Sequence, residues 1–95
     1  MEKRVALIGV IVENTESVEK LNSLLHEYGE YIIGRMGVPY REKKMNIISI
    51  TIDAPEGKIS ALSGKIGMLD GVVSKVIYGK KESCKAPEST VGTTL

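Results

Sequence analysis

"RVALIGVIV", residues 4–12, is the segment on which the fold turns. Nine residues dominated by branched aliphatics are too short for a buried helix and the right length for a strand. Its two alternating sets, Val5-Leu7-Gly9-Ile11 and Ala6-Ile8-Val10-Val12, are both apolar. That pattern describes a strand in the middle of a sheet, covered on both sides. Lys3 and Arg4 ahead of it imitate the charged end of a signal peptide. The apolar run is eight residues long, lacks a small-residue cleavage site and leads directly into Glu13. It is also far short of a bilayer span, so a cytoplasmic location is expected.

Downstream, the apolar spacing changes to that of a helix. Val18, Leu21, Leu24, Leu25 and Tyr28 fall on one arc, Asn14 or Thr15 can cap the start, and Gly29 is placed to cap the end. "YIIGRM" (31–36) reads as a second strand and Gly37-Val38-Pro39-Tyr40 as a turn. "MNIISITID" (45–53) is a third strand, with Ile48, Ile50 and Ile52 on one face. Asp53 and Glu56 have capping-box spacing around Pro55, opening a second helix striped by Ile59, Leu62, Ile66 and Leu69. Asp70-Gly71 turns the chain into a fourth strand, "VVSKVIYG" (72–79). The order β-α-β-β-α-β predicts an α+β, ferredoxin-like sandwich with two helices on one face of a four-stranded antiparallel sheet. In the expected strand order, 4-1-3-2, the two most apolar strands are central, and Arg35 and Lys75 lie on the edges. Residues 1–79 form the expected domain. Residues 80–95, "KKESCKAPESTVGTTL", offer little to bury and read as a flexible tail, although "STVGTTL" has some strand character.

Ninety-five residues make a small domain whose core is marginal without added burial. The second face of the sheet supplies a reason for such burial. Whichever set of the first strand turns away from the helices, it is oily, and the third and fourth strands add Ile and Val to the same side. Covering roughly 500 Å² of apolar surface per subunit is worth on the order of 10 kcal/mol before association costs. A homodimer or homotetramer is therefore expected.

Net charge is +1, so no global field draws the chain to nucleic acid or membrane. The central strands lack the aromatic pair on which RNA bases stack, and direct nucleic-acid binding is not expected. The single cysteine, Cys84, lies in the tail and reads as a free, non-catalytic thiol. No Ser-His-Asp set and no metal-ligand spacing can be assembled, and Asp53 and Glu56 are accounted for by capping. Neither a cofactor nor a bound metal is expected, and catalysis is not. His26, the single histidine, falls about 150° from the centre of the first helix's apolar stripe, a surface position. "GKISALSGK" lacks phosphate-loop spacing. Ser60, Gly64 and Gly67 read as a small-residue face suited to close packing, and the short basic runs as solvated turns. Arg35, between Gly34 and Met36-Gly37, is the strongest candidate ligand contact. Its guanidinium can clamp a carboxylate or phosphate where glycines permit close approach, and Tyr40 and Arg41 are placed to complete such a pocket. An edge-strand charge beside a bulge is the competing reading.

Four segments, "RVALIGVIVEN", "HEYGEYIIGRMGVPY", "NIISITIDAP" and "ISALSGKIGMLDGV", together resemble the family of iron-only hydrogenase system regulators. The likeness covers residues 4–79, and "EYIIGRMGVPY" is its most specific part. That family is ACT-like and similar to the C-terminal domain of nickel-responsive regulators. The resemblance implies a ferredoxin-like fold, oligomerisation and a regulatory role in iron-only hydrogenase maturation, with a small-molecule ligand or a hydrogenase-system protein as partner. Nickel sensing does not carry over, because that site needs several histidines and a cysteine. Nor is a ribbon-helix-helix DNA-binding domain expected before a first strand that starts by residue 5. The "VENTE" turn lacks the glycine that amino-acid-binding ACT domains often place after strand one. Two other readings stand beside this one. The first is a small acylphosphatase-like enzyme, for which Asn14 would be needed. The second is a purely structural assembly module.

Overall fold

The computed structural model describes residues 2–79. Strand β1 (Lys3–Val12) is followed by a 3-10 turn and helix α1 (Val18–Glu27), then β2 (Ile32–Tyr40), β3 (Met45–Pro55), α2 (Glu56–Gly67) and β4 (Val72–Tyr78). The four strands are antiparallel in the order β2-β3-β1-β4, which is the ferredoxin-like arrangement expected from the sequence. β1 and β3 are central; β2 and β4 are edges, and Arg35 and Lys75 lie on them. The expected tail, 80–95, with Cys84 and "STVGTTL", lies outside the described residues.

Pairing settles which face of β1 meets the helices. Ala6, Ile8, Val10 and Val12 are buried, and they pack with Ile50, Ile52 and Ala54 of β3. The helices close over them with Leu21 and Leu25 from α1 and Ile59, Leu62 and Ile66 from α2, in the stripes that the 3.6-residue period requires. The opposite set, Val5, Leu7 and Ile11, faces away from the helices and is exposed.

The structure differs from expectation in four places. Gly37-Val38-Pro39-Tyr40 is not a turn: β2 continues through it, pairing Gly37 with Ile48 and Tyr40 with Met45. Pro39 is tolerated because an edge strand has one side with no neighbour to receive its N–H. The reversal falls on Arg41–Lys43 instead, with Lys44 in the left-handed region at φ 51°. Asp53 and Glu56 form no capping box, since β3 runs to Pro55 in register with Lys3 and α2 starts without a side-chain cap. Glu56 is bound elsewhere, to Arg4 Nη1 at 3.2 Å. Gly29 does not close α1 in a left-handed cap; the helix ends at Tyr28 and a right-handed 3-10 turn, Gly29–Tyr31, carries the chain into β2. Finally, Gly64 and Gly67 are exposed, and a Cβ on either would meet nothing within 4 Å, so close packing does not explain them.

That last observation has a measurable consequence. Gly64 occupies the middle of α2 with helical backbone and open space beside it. Gly64→Ala removes unfolded-state freedom without a clash and should stabilise the domain by about 0.5–1 kcal/mol, read as a higher midpoint in urea at unchanged slope.

Two tethers fix the ends of the sheet. At one, Arg4 reaches across to β4: its Nη2 donates to the Gly79 carbonyl at 2.7 Å and its guanidinium lies 4.5 Å from the Tyr78 ring centroid. At the other, the segment after β1 is stapled to the turn before β4. Glu13 N–H donates to Gly71 O (2.7 Å), Asn14 Nδ2 to Asp70 Oδ2 (2.8 Å), and the buried Ser17 hydroxyl to Asp70 O (2.7 Å).

Candidate functional site

Arg35 projects from β2 on the side of the sheet that carries the helices, opposite Ile50 in the register. α1 does not extend over it completely. Between the end of α1 and the start of β2 is a cleft of about 370 Å³, lined by Asn22, Leu25 and His26 from the helix, Gly29, and Ile32, Gly34 and Arg35 from the strand. The register of β2 slips between Ile32 and Gly34, a bulge that sets this end of the edge strand apart from regular pairing. Arg35 Nη1 donates to Asn22 Oδ1 at 3.2 Å, which aims the guanidinium across the cleft mouth. Among the described residues the single salt bridge is that of Arg4 with Glu56, so the charge of Arg35 has no carboxylate partner there.

Tyr40 and Arg41 are not beside Arg35. Tyr40 lies five residues further along β2 and so about 17 Å away, and an odd separation in a strand points it to the other face. Its hydroxyl donates to Glu42 Oε1 at 3.1 Å. With Arg41 it lines a separate shallow depression of about 170 Å³, shared with Thr15, Pro39, Lys44, Met45 and Asn46. The three nominated residues therefore belong to two surfaces. His26 does lie on the solvent side of α1, as its angle requires, yet it shares the cleft with Arg35. No local signal joins positions 26 and 35, which come together only when α1 packs across the sheet.

Asn14, on which an acylphosphatase-like reading depends, is occupied at both ends of its amide. Its Oδ1 accepts from Glu16 N–H at 3.0 Å while its Nδ2 donates to Asp70. A side chain so held fastens the β1–α1 segment and opens α1's preceding turn as an N-cap. Asn14→Ala is accordingly expected to lower stability by about 1–2 kcal/mol in denaturant titrations. If the wild-type protein hydrolysed acyl phosphate and this substitution abolished it, the structural account of Asn14 would be wrong.

Metal chemistry has no assembled donor set: among the described residues no group of three or more His, Cys, Asp or Glu side chains converges. Nor is any described helix long and apolar enough to cross a membrane.

A further surface feature is the helix-free face of the sheet. Val5, Leu7, Ile11, Ile47, Val73 and Ile77 are all exposed there, from 38% for Ile11 to 67% for Ile77. Its central strands offer aliphatic side chains, and Tyr40 on edge strand β2 is the one aromatic that alternation places on this side, so no pair of rings is available there for stacked bases.

Comparison with known proteins places this sequence and fold in a family. TM1266-like, described as "Iron-only hydrogenase system regulator, putative", matches residues 4–76. The chain belongs to this family. Among solved structures similar to this regulator-family chain is the uncharacterized protein TM1266 from Thermotoga maritima, 36% identical, with a TM-score of 0.80 over 83% of this chain and 100% of that one. A formyltetrahydrofolate deformylase from Pseudomonas putida KT2440 superposes with a TM-score of 0.57 at 11% identity, over 77% of this chain and 28% of that one. That second likeness concerns the fold alone. No curated protein matches the chain.

Proposed function

We propose that this chain is a non-enzymatic regulator in the iron-only hydrogenase system, acting in the cytoplasm as a self-associated ACT-like domain that binds a small ligand or a partner protein. The family match supports the regulatory half of this reading. The observation that carries the assembly half is the exposed aliphatic face of the sheet, since a lone copy would hold Val5, Leu7 and Ile77 in water. Monomers rarely leave a contiguous apolar patch of several hundred Å² uncovered. A second copy presenting the same face covers it with like against like, in the self-complementary manner of a two-fold interface. Recognition is assigned to Arg35, whose cation is open to a ligand, with Tyr40 and Arg41 as a second, distinct contact surface. Direct nucleic-acid contact has no part in this reading, because the two central strands carry aliphatics on their uncovered side and the net charge is only +1.

Light scattering across a dilution series tests the assembly: a mass of two or more chains that persists into the micromolar range is expected. Deletion of the gene in a host with an iron-only hydrogenase tests the regulation. Hydrogenase activity in extracts should change, and an unaltered activity would remove the regulatory assignment while leaving the assembly standing.

A further inference from the structure

We infer that the cleft between α1 and β2 is a binding site for a small aliphatic carboxylate, with Arg35 as its anion contact. The inference rests on the recognition half of the proposed function and adds the ligand's chemical class. The lining explains the choice. One guanidinium, one imidazole and one amide stand around a floor of Leu25 and Ile32, and no carboxylate is among the lining residues. Leu25 is core and Ile32 is packed against that core, so the floor is fixed in place and apolar. Gly29 and Gly34 contribute only backbone to the cleft wall.

Arg35 is prepared for an anion. Its Nη1 is spent on Asn22 Oδ1 at 3.2 Å, and this contact orients the planar fork while leaving its remaining donors available for a bidentate pair with a carboxylate. The volume, about 370 Å³, is at the small end of ligand pockets, which limits the occupant to a short chain. The polarity narrows it further. An α-amino acid would bring an ammonium, and the lining has no carboxylate to pair with it. Inorganic phosphate would satisfy the guanidinium but leave the Leu25–Ile32 floor without an apolar partner. A simple carboxylate with a few methylenes uses both features.

Titration of the whole chain, followed by backbone amide NMR shifts, separates these ligands. Valerate is expected to bind saturably in the millimolar range, moving amides of residues 22–35. Norvaline, the same carbon chain with an ammonium, and inorganic phosphate should each bind at least about tenfold more weakly, the worth of one charge-assisted contact or of the lost apolar one. Arg35→Gln should weaken valerate by a similar factor, and Arg35→Lys should recover part of it. Equal affinity in Arg35→Gln, no saturable valerate shift, or phosphate binding as tightly as valerate would each overturn the inference. The same titration on Leu7→Glu, a change on the helix-free face that is expected to prevent self-association, should give unchanged affinity. Loss of binding there would instead mean that the site needs a second copy, and the cleft as described would be insufficient.

Discussion

Leu7→Glu is expected to reduce the protein to a monomer without unfolding it. Leu7 lies on central strand β1, between Thr51 of β3 and Ile77 of β4, and is 41% exposed on the helix-free face. In a single copy a glutamate there stays in water, so the fold should lose no more than about 0.5–1 kcal/mol, mostly strand propensity. In a pair of such faces the same carboxylate would be desolvated against aliphatic side chains, and symmetry would place one on each copy. An unpaired buried charge costs several kcal/mol, so association should weaken by a factor on the order of a thousand or more. Light scattering should report the monomer mass at concentrations where the wild type is assembled, with circular dichroism and the urea midpoint nearly unchanged. An assembled Leu7→Glu protein would show that copies meet elsewhere. A monomeric wild type would remove the reason for the assembly altogether.

The second large effect is at Gly71. Its φ is +71°, a region that costs an L-residue about 1 kcal/mol or more. Strain is the smaller part. A Cβ at this position would sit 2.7 Å from Asn14 Cβ and 3.0 Å from Asn14 N, and neither is the free end of a flexible side chain. To make room, the turn must withdraw from the segment after β1. That movement loosens the bonds from Glu13 N–H to Gly71 O, from Asn14 to Asp70 and from Ser17 to Asp70 O. Gly71→Ala should therefore destabilise by about 3 kcal/mol or more, a fall in Tm of roughly 12–24 °C for a domain of this size. Gly64→Ala, with the same change of one methyl, is expected to move stability the other way. A Gly71→Ala protein melting within a few degrees of wild type would mean the junction is slack rather than stapled.

These two positions illustrate how much a linear reading contains. Asp70-Gly71 announces a turn between two periodic segments, and the φ at Gly71 bears this out. The strand and helix stripes are equally visible, since burial demands apolar residues at periods of 2 and 3.6 regardless of what covers them. What covers them is a different matter. Both sets of β1 are apolar, so composition could not say whether Leu7 or Ile8 belongs to the core. Pairing with β3 and the placement of both helices made Ile8 core and left Leu7 on the surface. Pro39 carries a turn signal, yet the ladder to Met45 and Asn46 kept the segment extended, because an edge position can spare the missing N–H. Asp53 has capping spacing, yet pairing with Val5 held it in the strand.

The candidate site divides along the same line. Arg35, flanked by glycines on an edge strand, can be singled out from its neighbours in the chain, because its charge and the freedom of the residues beside it are local properties. Its separation from Tyr40 follows from strand periodicity, but only once the segment between them is known to be extended. Its company of Asn22 and His26, nine and more residues away, is not a local property. Those side chains share a cleft with Arg35 because α1 lies across the sheet and stops short of β2, a placement set by the summed packing of Leu21, Leu25 and their core partners. Element type, order and the oiliness of both sheet faces were thus legible from neighbouring residues alone. The inward face, the strand ends and the cleft were settled by contacts between residues far apart in the chain, whose free energy no single segment contains.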